Sequence, residues 1–158
     1  MTDAPLILWF RRDLRLADHP MLTAAAFTGR PLLPVVILDP ETEAQGAAAR
    51  WRWGLGVAAF ARDLAAAGLR LTLRRGDALT VLQGLVAETQ AGGVLWSRLY
   101  DPAARRRDAA VKVALRAAGI EARSFAGHLL HEPWETTTGD GGSYKVYLQG
   151  IIARRNSP

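Results

Sequence analysis

The 158-residue sequence contains no cysteine, which excludes disulfide bonds and thiolate metal sites. It also lacks any run of about 18 or more uninterrupted apolar residues, so we expect no membrane-spanning helix. The N-terminus, MTDAPLILWF, has no basic leader ahead of its apolar segment, and we expect no signal peptide. Together these absences predict a cytoplasmic protein with no membrane partner.

Three kinds of site motif are also missing. The histidines are too scattered for a metal site to be predicted, and they stand at His19, His128 and His131. The segment FRRDLRL contains no glycine, which argues against a glycine-rich phosphate loop behind the first apolar segment. No Ser-His-Asp grouping is legible. We therefore predict neither metal ligands nor catalytic residues in this chain.

The composition is moderately basic, with a net charge of +5 and a pI near 10.4. This charge permits a polyanionic partner, but it also fits an arginine-rich chain that binds none. The segment ARRRD, residues 104–108, has a helical context and is more typical of a solvated face than of a nucleic-acid patch.

Short apolar segments alternate with helical patterns along the chain. Five segments have the composition of buried strands, and they cover residues 6–10, 32–38, 69–75, 93–97 and 120–125. Four helical segments lie between them. This alternation predicts an α/β fold, a Rossmann-like open parallel sheet of five strands in the order 3-2-1-4-5 with helices on both faces.

Helix boundaries are marked by capping residues. Asp18 is the predicted N-cap of the first helix, ahead of Pro20, and Asp101 is the predicted N-cap of the fourth, ahead of Pro102. The segment GLG, residues 54–56, places two glycines inside the second helix at a cost of about 1 kcal/mol each. Such a cost suggests that another group approaches the helix closely.

The alternating pattern stops after residue 125. The following sequence predicts a long loop with a glycine-rich turn at 139–142 and a weakly specified tail. We therefore divide the chain into an α/β domain, residues 1–128, and a linker segment with an atypical tail, residues 129–158.

Charged residues follow several of the predicted strands. In an open parallel sheet, ligands bind beyond the carboxyl ends of the strands, where the strand order reverses. Guanidinium and carboxylate groups at that point could orient a polar, anionic or planar ligand, and an exposed indole could stack on it. The predicted binding residues are Arg11, Arg12, Asp39, Trp51, Arg98 and Asp101.

A structural role is the alternative for the same charges. Asp13 stands between Arg12 and Arg15, so we expect it at the centre of an ion-pair cluster that braces the loop. Arg11 is expected to project into the crevice towards Arg98. Of Trp51 and Trp53, one is expected to fill the core. The residues alone leave both roles open.

The segment LWFRRDLRLADHPML resembles the opening motif of the DNA photolyase and cryptochrome family, a strand followed by Arg-x-Asp-Leu-Arg-Leu and a helix started by Asp-His/Asn-Pro. PVVILDPE resembles the second strand of that family, LRRGDA its Arg-x-Gly-Asp turn, and VLWSRLYDPAARRRD its fourth strand and helix. The resemblance covers about residues 5–147 in order.

The resemblance implies an N-terminal domain that can hold an antenna chromophore, a deazaflavin, a flavin or a folate. It further implies that catalytic FAD belongs to a helical C-terminal domain, which is the expected partner and is absent from this chain. In that family the whole protein is a deoxyribodipyrimidine photo-lyase that repairs pyrimidine dimers in DNA under light. We expect the chain alone to be non-catalytic and to bind DNA weakly at best.

The chromophore class is indicated by two positions. Folate-type members begin the fourth helix with an Asn-Glu pair, where this sequence has Ala103 and Ala104, whereas Arg11, Arg12 and Asp101 match the region used by deazaflavin-type members. A deazaflavin or flavin is therefore favoured, with an empty antenna site as the alternative. Other classes of function remain: a free-standing nucleotide-binding module, or a basic interaction module on the same fold.

Overall fold

A computed structural model of the chain describes residues 4–129 and 132. Five strands alternate with helices, as the sequence predicts, and there are five helices rather than four because a short helix, Pro40–Glu43, precedes the second predicted one. They are β1 (Leu6–Phe10), α1 (Pro20–Ala26), β2 (Leu32–Leu38), α2 (Pro40–Glu43), α3 (Ala47–Ala66), β3 (Thr72–Arg75), α4 (Ala78–Thr89), β4 (Gly93–Ser97), α5 (Pro102–Ala117) and β5 (Glu121–Phe125).

The strands form one parallel sheet in the order β3-β2-β1-β4-β5, which confirms the predicted fold class and strand order. β1 is the central strand and is buried along its whole length, because β2 and β4 flank it and helices cover both faces. A strand covered on both faces needs apolar side chains at every position, which explains the continuous sequence LILWF.

Side chains alternate between two apolar cores, one on each face of the sheet. Ile7 and Trp9 point to the face covered by α4 and α5. Leu6, Leu8 and Phe10 point to the face covered by α1 and α3. The period of two along β1 thus assigns its residues to opposite cores, and Trp9 to the α5 side.

β3 begins later than predicted. It pairs only with the last four residues of β2, so the ladder starts at Thr72, whereas Leu69 and Leu71 pack against the core on the α1 and α3 side. β3 is also an edge strand with three of its four residues exposed. Its weak coverage by helices matters for the groove described below.

The start of α1 differs from the prediction by one residue. Asp18 has a φ of 48°, and the N-cap is His19, whose Nδ1 accepts a hydrogen bond from the Leu22 amide at 3.4 Å. Pro20 follows in the first turn, as expected. Asp101 is the N-cap of α5, as predicted, and accepts a hydrogen bond from the Ala104 amide at 3.0 Å.

The glycines of α3 are not explained by a close approach within the described part of the chain. A Cβ atom on Gly54 would meet nothing within 4 Å, and one on Gly56 would make an ordinary contact of 3.5 Å with Leu14. The expectation of a tightly packed neighbour is therefore wrong. Gly54 instead borders open space.

All ten elements belong to the first of two units into which the chain divides, Met1–Gly127 and His128–Pro158. The predicted linker and tail, 129–158, lie outside the described residues except for Leu129 and Glu132, and that domain boundary stays a prediction. Within the described residues, no helix has the length and apolar character needed to cross a membrane.

Candidate functional site

The carboxyl ends of β1, β2 and β4 meet at one edge of the sheet, where the strand order reverses. The concavity there is called the switch-point crevice below, and its volume is about 40 Å³. Residues from the loops after β1, β2 and β4 and from α2, α3 and α5 line it: Arg11, Arg12, Ile37, Asp39, Glu41, Thr42, Gln45, Trp53, Leu99 and Arg107.

Arg11 lies at the bottom of this crevice and is buried. Its Nη1 donates to both carboxylate oxygens of Asp108, at 2.7 and 2.8 Å, and its Nη2 donates to the Ser97 carbonyl. Its guanidinium also lies 4.4 Å from the ring centroid of Trp9. Burial lowers the pKa of Arg11, and the charge and hydrogen bonds of Asp108 oppose that shift. Arg11 therefore joins β1 to α5 through both terminal nitrogens, whereas its buried Nε makes no hydrogen bond within the described residues.

Arg107 extends the same network towards α2. Its Nη1 lies 2.6 Å from Asp39 and 3.0 Å from Glu41, and its Nη2 lies 3.1 Å from Asp108. Asp39 is buried, and its other oxygen accepts the Thr42 amide at 2.8 Å as the N-cap of α2. Two arginines and two buried or nearly buried carboxylates thus neutralise one another.

The interpretation of ARRRD as a solvated face misses Arg107 and Asp108. The signal for Asp108 is present in the sequence, because it stands four residues after Ala104 and three before Val111, both buried on the inner stripe of α5. A charged residue on the apolar stripe of a helix predicts a buried partner. That partner is Arg11, 97 residues earlier.

Arg12 and Asp101 form the rim of the crevice. Their side chains are 57% and 38% exposed, and Arg12 Nη1 lies 3.5 Å from Asp101 Oδ2. The hydrogen bond from the Ala104 amide lowers the pKa of Asp101, although burial opposes it and the charge of Arg12 assists. Among the predicted binding residues at the crevice, these two have the most exposed side chains, although Oδ2 of Asp101 is itself buried.

Asp13 does not hold the predicted arginine cluster. Its Oδ2 lies 3.0 Å from Nε2 of His19, and its Oδ1 accepts the Arg11 amide at 2.9 Å. Burial alone would raise the pKa of Asp13, but hydrogen bonds from His19, from the Ser97 side chain and from that amide lower it to about 2. Asp13 therefore ties the loop after β1 to the start of α1.

The predicted ion-pair cluster is wrong because the loop turns tightly. The Arg15 amide donates to the Asp13 carbonyl at 2.8 Å, two residues back, and this turn separates the two side chains. Arg15 donates instead to the Asp18 carbonyl, at 3.0 and 3.3 Å. Asp13 faces inward, and the arginine on each side of it faces away.

The structure places the other two predicted binding residues elsewhere. Arg98 Nη1 donates to the Ser124 carbonyl at 2.9 Å, so it lies on the β5 side of β4 and does not meet Arg11 as expected. Trp51 is 68% exposed on α3 and does not line the crevice. Trp53 lines it instead and is partly buried, with its Nε1 donating to the Arg11 carbonyl at 3.4 Å.

The volume of the crevice decides what it could hold. Pockets for cofactors and drug-sized ligands measure about 300–1,000 Å³. At about 40 Å³, the switch-point crevice does not fit a flavin, deazaflavin or folate ring. The paired side chains fill it, so the geometry supports the bracing role for Arg11 and Asp39.

A second concavity, of about 610 Å³, lies between α3 and the edge strand β3. It is called the α3–β3 groove below. It lies on the face of the sheet that α1 and α3 cover, where α3 forms one side and β3 the other. Its walls are mainly apolar: Val36, Leu38, Trp53, Gly54, Val57, Ala58, Ala61, Leu73, Arg74 and Arg75.

Comparison with known proteins gives a consistent result. The family model described as DNA photolyase matches residues 6–155. A deoxyribodipyrimidine photo-lyase of Agrobacterium fabrum is 45% identical over 144 residues, which cover 91% of this chain and 30% of the relative. The chain thus spans about a third of the length of that relative.

Solved structures share the fold. The crystal structure of a bacterial class III photolyase from Agrobacterium tumefaciens matches with a TM-score of 0.91 and 42% identity, over all of this chain and 33% of that one. An archaeal photolyase from Sulfolobus tokodaii, described with two FAD molecules and an implied novel light-harvesting cofactor, matches with a TM-score of 0.72 and 19% identity. That match covers 94% of this chain and 34% of the archaeal one.

Proposed function

Because the chain belongs to the DNA photolyase family, we propose that it is the antenna domain of a light-dependent deoxyribodipyrimidine photo-lyase. In this proposal the domain holds a planar light-absorbing chromophore and passes its excitation to FAD. The FAD belongs to a helical domain outside this chain. The observation that carries the proposal is the match of residues 6–155, in order, to the family.

Two further findings support it. The bacterial class III photolyase has the same fold at 42% identity over the whole chain. The Sulfolobus tokodaii photolyase, whose fold is similar, is the one described with an implied light-harvesting cofactor. The chromophore proposed for this chain is of the deazaflavin, flavin or folate class.

The six predicted binding residues have different roles in this proposal. Arg12 and Asp101 remain the predicted contacts for a ligand at the rim of the crevice, since both are exposed there. Arg11 and Asp39 would not contact the ligand. Their ion pairs with α5 would hold the loops after β1 and β2 in position. Trp51 and Arg98 would contribute only from outside the crevice.

The first test is chromophore binding by the 158-residue chain. The purified protein is titrated with 8-hydroxydeazaflavin, flavin mononucleotide and methenyltetrahydrofolate, and binding is followed by calorimetry and absorbance. At least one is expected to bind with a Kd in the micromolar range, about 10⁻⁶ M. Failure of all three at concentrations a hundred times higher would remove the antenna role.

The second test is repair. Ultraviolet-damaged DNA illuminated with the chain alone should keep its pyrimidine dimers, whereas a protein that joins this domain to an FAD-binding helical domain should remove them. Light-dependent loss of dimers with the chain alone would show that catalysis does not need the second domain, and the proposal would be wrong.

The DNA affinity of the chain itself is expected to be weak. Several arginines, among them Arg11, Arg74 and Arg107, already pair with carboxylates. We therefore expect salt-sensitive binding without sequence preference, with a Kd of about 10⁻⁴ to 10⁻⁶ M. Tight binding that prefers damaged duplex and persists at raised salt would contradict this expectation.

A further inference from the structure

Helix α3 carries apolar residues on both of its faces. The inner stripe packs against the sheet and is formed by Trp53, Val57, Phe60 and Leu64. A second stripe with helical spacing lies on the opposite side and is exposed. It is called the outer α3 face below and consists of Trp51, Leu55, Ala58, Arg62 and Ala65. A surface helix normally has a polar outer face, whereas a helix that is apolar all round is normally covered on both sides.

The two large side chains of this face are neighbours. Trp51 is 68% exposed and Leu55 is 45% exposed, and their spacing of one helical turn places them side by side. Phe27 and Val113 are also exposed, but each is the large exposed apolar residue of a different helix, α1 and α5. Single exposed apolar residues are normal, whereas a contiguous apolar patch indicates an interaction surface.

The outer α3 face has large residues in one half and small ones in the other. Trp51 and Leu55 belong to the N-terminal half of the helix, and the C-terminal half presents Ala58, Ala61 and Ala65. A closed two-fold dimer requires a surface that is complementary to itself. Two copies of this face meet that requirement when the helices are antiparallel, because the large half of each then packs on the small half of the other.

A specific register brings these halves together. It has a two-fold axis that crosses both helices between Gly56 and Val57, so that Leu55 of each copy meets Ala58 of the other. Trp51 of each copy then enters a hole formed by four residues of the other: Ala58, Ala61, Arg62 and Ala65. Three alanines leave room for an indole, and the guanidinium of the fourth residue can stack on the ring.

The charges beside the face fit the same register. Arg52 and Asp63 are both exposed, and neither has an ion-pair partner among the described residues. They lie about three turns apart on the same side of α3. In the antiparallel pair, Arg52 of each copy lies beside Asp63 of the other, about 3 Å away along the helix axis. A parallel pair would instead keep them about 16 Å apart.

We propose that the outer α3 face binds a second copy of this chain, in a two-fold dimer whose α3 helices are antiparallel. The occupant is a second copy because the face complements itself in both size and charge. This proposal goes beyond the antenna role and does not depend on it. A contact made mainly by one helix is small, so we expect a weak dimer with a Kd of about 10⁻⁵ M.

The first test measures self-association of the 158-residue chain by analytical ultracentrifugation, from about 10⁻⁶ to 10⁻³ M. Leu55→Arg places cations from both copies near the centre of the contact and should raise the Kd at least about tenfold. Val113→Arg is the matched control, because Val113 is 70% exposed on α5 and lies away from the face. It should leave the Kd unchanged, and thermal denaturation should show that both variants fold.

The second test reverses the charges. Arg52→Glu and Asp63→Arg should each weaken the dimer at least about tenfold, because each change places like charges together at both contacts. An equimolar mixture of the two variants should associate again, because each contact in the mixed dimer joins a cation to a carboxylate. The mixture also controls for folding, since a misfolded variant would not regain association on mixing.

Three outcomes would overturn the proposal. A wild-type chain that sediments as a monomer at about 10⁻³ M would show that a second copy does not occupy the face. Equal weakening by Leu55→Arg and Val113→Arg would mean that any dimer forms elsewhere. If the wild type associates but the mixed charge variants stay monomeric, the α3 helices are not antiparallel and the proposed contact is wrong.

Discussion

The switch-point crevice and the α3–β3 groove lie on the same sheet and share Trp53, yet they are opposite in character. The crevice is lined by charged side chains and has a volume of about 40 Å³. The groove is apolar and about fifteen times larger, at about 610 Å³. The strand order therefore predicts where in the fold a ligand could bind. The side chains at that position decide whether the cavity is large enough for the ligand.

The difference has an electrostatic cause. A charge removed from water is costly unless a partner and hydrogen bonds compensate it. Arg11 and Asp108 are nearly buried, so their charges must remain paired with each other. The same holds for Arg107 and Asp39. Side chains committed in this way cannot also leave space for a ring. The cation on the groove face of β3, Arg75, is not bound in this way, since its side chain is 75% exposed.

The largest effect is expected from Arg11→Ala, which should enlarge the switch-point crevice. Removing one member of a buried ion pair costs about 3–5 kcal/mol. Arg107 still lies 3.1 Å from Asp108, so we expect the lower value, about 3 kcal/mol. Thermal denaturation should show a fall of roughly 2–4 °C per kcal/mol.

Arg12→Ala is the matched control, because Arg12 is the next residue and is 57% exposed. It should change the stability by less than about 0.5 kcal/mol. The double change Arg11→Met with Asp108→Leu should recover part of the loss, since apolar residues of similar volume often replace buried pairs. Equal destabilisation by Arg11→Ala and Arg12→Ala would contradict the assignment of a bracing role to Arg11.

Asp13→Asn should have the next largest effect, and that effect depends on pH. The pKa of Asp13 is about 2 in the folded chain and about 3.9 when unfolded, so its carboxylate form favours folding. Its contribution is about 2.6 kcal/mol at neutral pH and is lost as the pH falls from about 5 to 2. Urea unfolding of both proteins across this range should give curves that differ most above pH 5 and converge near pH 2. A constant gap would show that the charge of Asp13 is not involved.

Asp101→Ala should cost about 1 kcal/mol, because it removes the N-cap hydrogen bond to the Ala104 amide. The loss should exceed that of Arg12→Ala, which removes only the surface pair at the rim. Asp101→Asn keeps a capping oxygen and should recover most of the stability. This comparison, by chemical denaturation, separates the capping role of Asp101 from its charge. Equal losses in the alanine and asparagine variants would mean that the charge dominates.

Gly54→Ala should produce the smallest effect, and it should be stabilising. Alanine in place of a helical glycine with no steric conflict adds roughly 0.5–1 kcal/mol. Gly84→Ala should add about as much, since its Cβ position is also open. A destabilised Gly54→Ala chain would mean that the open space at the groove is not available.

The identity of the strands and their parallel direction follow from local patterns in the sequence. Continuous apolar segments such as LILWF predict strands buried on both faces, and alternation with helices requires a parallel sheet. The N-cap Asp101 was equally legible, because an N-cap bonds within three residues of itself. These features depend on neighbours in the chain.

The partners of the charged residues were not legible in the same way. Asp13 stands beside arginines in the sequence but contacts His19, because a tight turn faces it inward. Arg11 finds Asp108 across 97 residues, and β3 leaves its groove uncovered because it is the edge strand. By itself, the sequence determined which strands and helices form, since backbone pattern and propensity act locally. Only the tertiary structure decided which charges meet and where space is left, since both depend on how distant segments pack.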